Sequence, residues 1–148
     1  MTEKERAKEL FLEGYNCSQS VFTAFSHRFG IDEETAKKIS AGLGGGIGRQ
    51  REVCGAVSAA AMVIGDICAG VDGEDVESKT RNYELVQKFS EKFTEKHGSI
   101  ICRELLENHE KNKGAAPDDR TEEYYQTRPC LRLVEDAAEI LMQMLEEK

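Results

Sequence analysis

The chain is expected to fold as an all-α, single-domain bundle of about six helices around a buried, Ala/Val/Ile-rich central helix. Three features of the sequence predict this. Apolar residues recur at three- and four-residue spacing in segment after segment, which lines them along one side of a helix. Cap-forming residues and glycines bracket those segments, as helix starts and stops do. No strand is required anywhere, and no internal repeat or low-complexity block interrupts the pattern. A chain of 148 residues is about one domain, here 1–148, and can bury a core without disulfide staples.

In chain order, Ala7, Leu10, Phe11 and Gly14 recur at helical spacing among Glu, Lys and Arg, so a short amphipathic helix is expected to end at Gly14. Asn16 is a good N-cap for a second helix with Cys17, Ser18, Val21, Phe22, Phe25 and Phe29 on one face, closed by Gly30. Asp32 can cap a third helix running through Ala36, Ile39 and Ser40 toward Leu43. Gly42, Gly44, Gly45, Gly46 and Gly48 then break regular structure into a tightly turned or flexible loop. From Val53 to about Ala69 nearly every face is apolar, as expected of the central helix, and its small residues let neighbours come close. Gly70 and Gly73 end it. Glu74 to His97 resumes an amphipathic pattern through Tyr83, Val86, Phe89 and Phe93 before Gly98. Ser99 reads as the cap of a short helix holding Ile100, Ile101, Cys102, Leu105 and Leu106. About 107–129 is polar, contains Pro117 and has no sustained period, so a long excursion or lid is expected, anchored by Tyr124 and Tyr125. Thr127 and Pro129 start a last helix in which Cys130 is followed by the stripe Leu131, Val134, Ala138, Leu141 and Leu145.

The first ten residues are charged and lack the apolar stretch and cleavage site of a secretory signal. The longest nearly apolar stretch, Val53 to Cys68, is interrupted by Ser58, Gly65 and Asp66 and falls short of the roughly 20 residues that span a bilayer. A cytoplasmic location without a membrane span is therefore expected. A formal charge of −8 argues against nucleic acid or an anionic membrane as partner, since either would want a basic face.

Five cysteines in a reducing cytosol read as catalytic, redox-sensing, metal-binding or buried thiols rather than a disulfide framework. Cys17, Cys54, Cys102 and Cys130 each fall in the first turn of a predicted helix. There, unpaired N–H groups and the positive end of the macrodipole favour a thiolate, which is the nucleophile, the redox centre and the metal ligand. Cys68 falls near the other end of its helix, where a thiolate is disfavoured, and is assigned to packing. His27, His97 and His109 have no partners at ligand spacing, and Met62, Met142 and Met144 sit within apolar stripes. The glycine-rich loop lacks the Lys-Ser/Thr of a phosphate-binding Walker loop and the βαβ setting of a dinucleotide site. It serves either a close helix crossing or the approach of backbone N–H groups to the Cys54 sulfur or a small anion.

Gly44-Gly45-Gly46-Ile47-Gly48-Arg49, followed by Glu52-Val53-Cys54-Gly55-Ala56-Val57-Ser58-Ala59, resembles the signature of the C_GCAxxG_C_C family of redox-active proteins. That family places one cysteine upstream, one in a Cys-Gly-Ala-x-x-Gly motif and two downstream, places filled here by Cys17, Cys54, Cys102 and Cys130. Cys68 is extra, and Ala59 replaces the final glycine, which tightens packing by a methyl group without removing a reactive one. The resemblance runs from about Gly14 into the C-terminal helix and implies a redox role.

Two chemistries compete for four converging thiols. A dithiol–disulfide couple among Cys54, Cys17, Cys102 and Cys130 needs a low-pKa attacking thiolate and a resolving thiol, and requires no cofactor. Cys54 is the expected attacker, with Gly46, Gly48, Arg49, Arg51 and Gly55 as candidate support for its thiolate or for an anion; the resolving partner is not readable. If catalytic, such a protein is a thiol–disulfide oxidoreductase, whose partner is a redox protein or a small-molecule thiol or oxidant. The alternative makes the same four cysteines ligands of Zn or an iron–sulfur cluster. Spacing counts against it, because such sites usually bring ligands in close pairs and none of these four cysteines forms one. A third reading is a non-catalytic helical interaction protein with buried thiols.

Overall fold

The computed structural model describes residues 1–106 and 114–147; His109 and the 107–113 part of the polar excursion lie outside the described residues. Within them the chain forms eight helices: α1 (Glu3–Leu12), α2 (Cys17–Phe25), α3 (Glu33–Ser40), α4 (Gly55–Cys68), α5 (Val76–His97), α6 (Cys102–Leu106), α7 (Glu122–Thr127) and α8 (Cys130–Glu146). The fold is all-α, as expected. Its sole β feature among the described residues is an isolated antiparallel bridge between Val53 and Ile101.

Caps set the early helix starts. Thr2 and Asn16 both form reciprocal capping boxes, with Glu5 and Gln19 respectively, so two otherwise orphaned N–H groups are satisfied at each start. Asp32 caps α3 by accepting from the Thr35 N–H. Gly14, Gly30 and Gly98 take positive φ just past α1, the single turn Ser26–Arg28 that follows α2, and α5.

Packing places α2 against α1, α3, α4 and α8, while α4 also meets α5 and α8. One contiguous core results, with Phe11, Phe25, Phe89, Phe93, Val21, Val63, Val134 and Leu141 essentially inaccessible. α4 buries Gly55, Ala56, Val57, Ala59, Ala60, Val63 and Ile64, the small residues allowing the close crossings expected of it. Gly55 is needed at one of them: a Cβ there would lie 3.0 Å from the Leu43 carbonyl and 3.2 Å from the Ser18 nitrogen.

Four details depart from the sequence reading. α4 starts at Gly55, which makes Cys54 its N-cap residue rather than part of its first turn. Ile100 and Ile101 lie outside α6, drawn into backbone pairing by Cys54 N–H to Ile100 O (2.8 Å) and Cys102 N–H to Glu52 O (2.6 Å). On α5 only Phe89 and Phe93 are buried; Tyr83, read as part of the stripe, is 61% exposed. The excursion contains α7, capped by the Thr121 side chain, because Tyr124 and Tyr125 pack against Phe11 of α1 and the neighbouring Arg120 donates to the Phe11 and Tyr15 carbonyls.

The glycine-rich loop takes an unusual form. Residues 44–47 close a helix-like turn, but Gly45, Gly46, Ile47, Gly48 and Arg49 all have φ between 58° and 66°. This is a left-handed turn, a conformation that costs an L-residue other than glycine about 1–2 kcal/mol. It is held by Arg51 N–H to Gly45 O (3.1 Å) and Glu52 N–H to Gly46 O (3.1 Å). Among the described residues no helix is long and apolar enough to cross a membrane.

Candidate functional site: a thiol cluster beneath an arginine-lined cavity

Asn16 positions the first thiol. Its Oδ1 accepts from the Gln19 N–H (2.9 Å) and the Ser18 hydroxyl (2.8 Å), and its Nδ2 donates to the Ala41 carbonyl (2.9 Å). Ser18 Oγ also lies 2.7 Å from the Ser40 carbonyl, its one proton shared between the two acceptors. The start of α2 is thereby tied to the end of α3, and Cys17 is fixed as its first residue.

Cys130 is the first residue of α8. The Cys17 thiol donates a hydrogen bond to it, and the two titrate as a pair. That hydrogen bond is the largest influence on both: it pushes Cys17 well above the ordinary thiol range and brings Cys130 down to about 7. Burial opposes the shift at Cys130, whereas the charges of Arg128 and Arg120 and a hydrogen bond from the Tyr124 hydroxyl support it. Burial and the neighbouring thiolate push Tyr124 upward, so it remains a donor.

Cys54 and Cys102 complete the cluster. Both act electrostatically on Cys17, and Cys102 and Cys130 act on Cys54. Thus all four of the singled-out cysteines converge, while Cys68 lies apart, near Ile64 O (3.2 Å) and Asn82 Oδ1 (3.4 Å). Burial pushes the Cys54 thiol up to about 12, against smaller downward pulls from the Ala56 and Val57 amides. A thiol that is 3% exposed and raised by burial stays protonated at neutral pH, which weighs against Cys54 as an attacking group.

The arginines expected to hold Cys54 reach elsewhere. Arg51 Nη1 lies 3.7 Å from the Cys102 sulfur, and Arg49 lies 3.7 Å from Asp118 while its Nε donates to Gly114 O (2.7 Å). Gly46 passes close against Cys102, where a Cβ would come within 2.8 Å of the Cys102 Cβ. Gly48 faces open space apart from Gly42 O at 3.8 Å, and Gly55 serves the helix crossing.

A cavity of about 280 Å³ opens over this cluster, lined by Cys17, Cys102 and Cys130 together with Arg49, Arg51, Asp118, Arg120, Tyr124 and Arg128. Arg120 donates to Phe11 O (2.8 Å) and Tyr15 O (2.9 Å) and stacks 4.1 Å over the Phe11 ring. Arg128 pairs with Asp118 and lies 5.0 Å over the Tyr124 ring. Sequence reasoning picked out Tyr124 only as an anchor and missed Arg120, Arg128 and Asp118. The readable signal was the Arg128-Pro129-Cys130 run, which puts a fixed cation beside a helix-start thiol.

Among the described residues no group of three or more His, Cys, Asp or Glu side chains is arranged to hold a metal ion. His27 and His97 serve other ends, meeting Glu3 (2.8 Å) and Asp136 (2.9 Å).

A family model described as "Putative redox-active protein (C_GCAxxG_C_C)" matches residues 15–144. No curated protein matches the chain, and no solved structure does.

Proposed function

The chain belongs to the C_GCAxxG_C_C family, described as redox-active, and from that premise we propose that it works through a dithiol–disulfide couple with Cys130 as attacking thiolate and Cys17 as resolving thiol. The observation that carries this reading is that Cys17 and Cys130 line one cavity, close enough that their interaction brings Cys130 down to about 7 and raises Cys17. A thiol with pKa near ambient pH combines a large thiolate fraction with retained nucleophilicity, the best compromise for attack on a disulfide.

The reduced pair reacts in two displacements. The Cys130 thiolate attacks one sulfur of a disulfide substrate, forming a mixed disulfide and expelling one thiolate. Cys17 then gives up its proton and attacks the Cys130 sulfur; the Cys17–Cys130 bond forms, and the second substrate sulfur leaves and takes that proton. Two electrons pass from the pair to the substrate. Arg120, Arg128 and Tyr124 hold the negative charge on Cys130 between turnovers. Cys102 lines the cavity beside the pair, and Cys54 is buried.

The test is a redox titration of anaerobically purified protein followed by intact mass. The wild type is expected to lose the mass of two hydrogens reversibly, Cys54→Ser to keep that change, and Cys130→Ser and Cys17→Ser to lose it. A bound metal or cluster mass that shields all four thiols contradicts the couple and favours the four-cysteine metal reading, and thiols that react only after unfolding favour a non-catalytic protein.

A further inference from the structure

Resting on that couple, we propose that its substrate is a small disulfide carrying carboxylates or similar anionic groups, admitted to the cavity above Cys130 and held there by Arg120. Three observations point to a small molecule rather than a protein disulfide. The attacking sulfur is recessed, with Cys130 6% exposed. The space over it, about 280 Å³, is near the lower end of the range of small-molecule pockets. A folded partner's disulfide would have to enter this hollow, whereas a symmetric disulfide of two short chains fits within it.

The anionic character follows from Arg120. Its guanidinium is fixed by two backbone carbonyls and by the Phe11 ring, and it also lies 5.1 Å over Tyr124 and 5.9 Å over Tyr125. Carbonyls and rings orient a cation without neutralising it. Arg128, by contrast, shares Asp118 with Arg49. The described lining carries four arginines against one carboxylate, in a chain whose formal charge is −8. The global field would repel an anion, so a preference for anions must come from this local site.

The couple runs as written above, with the dianionic disulfide accepting two electrons and leaving as one thiolate and one thiol, each still carrying its carboxylate. In the first displacement the departing thiolate carries its own carboxylate away past Arg120, and the second half follows when Cys17 closes the protein disulfide.

The experiment compares three symmetric probes on the reduced full chain at neutral pH: dithiodipropionate (dianionic), hydroxyethyl disulfide (neutral) and cystamine (dicationic). Each rate of Cys17–Cys130 formation is divided by the probe's rate with a simple thiol. The dianion is expected to react about tenfold faster than the neutral probe on that scale, and cystamine slowest, the spread closing as ionic strength rises. Arg120→Gln is expected to slow all three but bring the dianion-to-neutral ratio to about one; reading a ratio separates recognition from thiolate reactivity. Should that variant fail to fold, the salt series on the wild type decides. Equal normalised rates, a preference for cystamine, or a ratio unchanged in folded Arg120→Gln would overturn the proposal while leaving the couple standing if the neutral probe still forms the disulfide. If no probe forms it, the couple falls and this inference with it.

Discussion

At the scale of single residues, two thiols in one cluster are driven in opposite directions. Cys130 is brought to about 7 by the Cys17 hydrogen bond, flanking arginine charge and the Tyr124 hydroxyl, and Cys54 is pushed to about 12 by burial. Alkylation of the reduced protein by iodoacetamide should therefore label Cys130 first. Its rate should fall about tenfold per pH unit below the midpoint near 7, because only the thiolate reacts. Cys54 should stay unlabelled through the same range. Tyr124→Phe removes a donor to the thiolate and is expected to move the Cys130 midpoint up by about 0.5–1 unit. A midpoint that stays put would remove Tyr124 from the site. The sequence made the four cysteines legible as a group through their places at helix starts. It did not show which one attacks, because that depends on Cys17 meeting Cys130 from the far end of the chain and on how deeply Cys54 sinks.

At the scale of elements, the left-handed turn at 45–49 and the caps around Asn16 hold the cluster's geometry. A Cβ on Gly46 would come 2.7 Å from the Glu52 nitrogen and 2.8 Å from the Cys102 Cβ, at φ +66°. Gly46→Ala should thus destabilise by about 2–4 kcal/mol, read as a lowered urea midpoint. Gly48→Ala, at φ +58° with 3.8 Å of clearance, carries only the backbone term and should lose about 1–2 kcal/mol. Ile47 is the converse case. It is β-branched at φ +66° and 43% exposed, so Ile47→Gly should raise stability by about 1 kcal/mol; a loss would mean that the turn relaxes. Asn16→Ala should remove about 0.5–2 kcal/mol with its capping box and loosen Cys17. The sequence announced that the glycines break regular structure, yet not that Ile47 and Arg49 would follow them into left-handed backbone, since neither residue prefers it. Likewise α7 was hidden in a polar stretch, because its two turns are held by tyrosine and arginine contacts to distant helices rather than by an apolar period of its own.

For the whole molecule, the all-α packing was readable from periodicity and caps, which are local, and the central position of α4 from its small apolar residues. The meeting of α2 with α8 was not readable, and it is what the proposed couple depends on. A bond between their first residues would close most of the chain into one loop. Oxidation should accordingly stabilise the fold by about 2–4 kcal/mol, seen as a higher urea midpoint for the oxidised form. An oxidised form that unfolds more easily would mean that the helix starts must be pulled out of place to join. The central claim is the identity of the pair, and peptide mapping after mild oxidation, with free thiols blocked first, tests it most directly. A Cys17–Cys130 cross-linked peptide, with Cys54 and Cys102 blocked as free thiols, is expected. A disulfide containing Cys54 with Cys130 left free would contradict it.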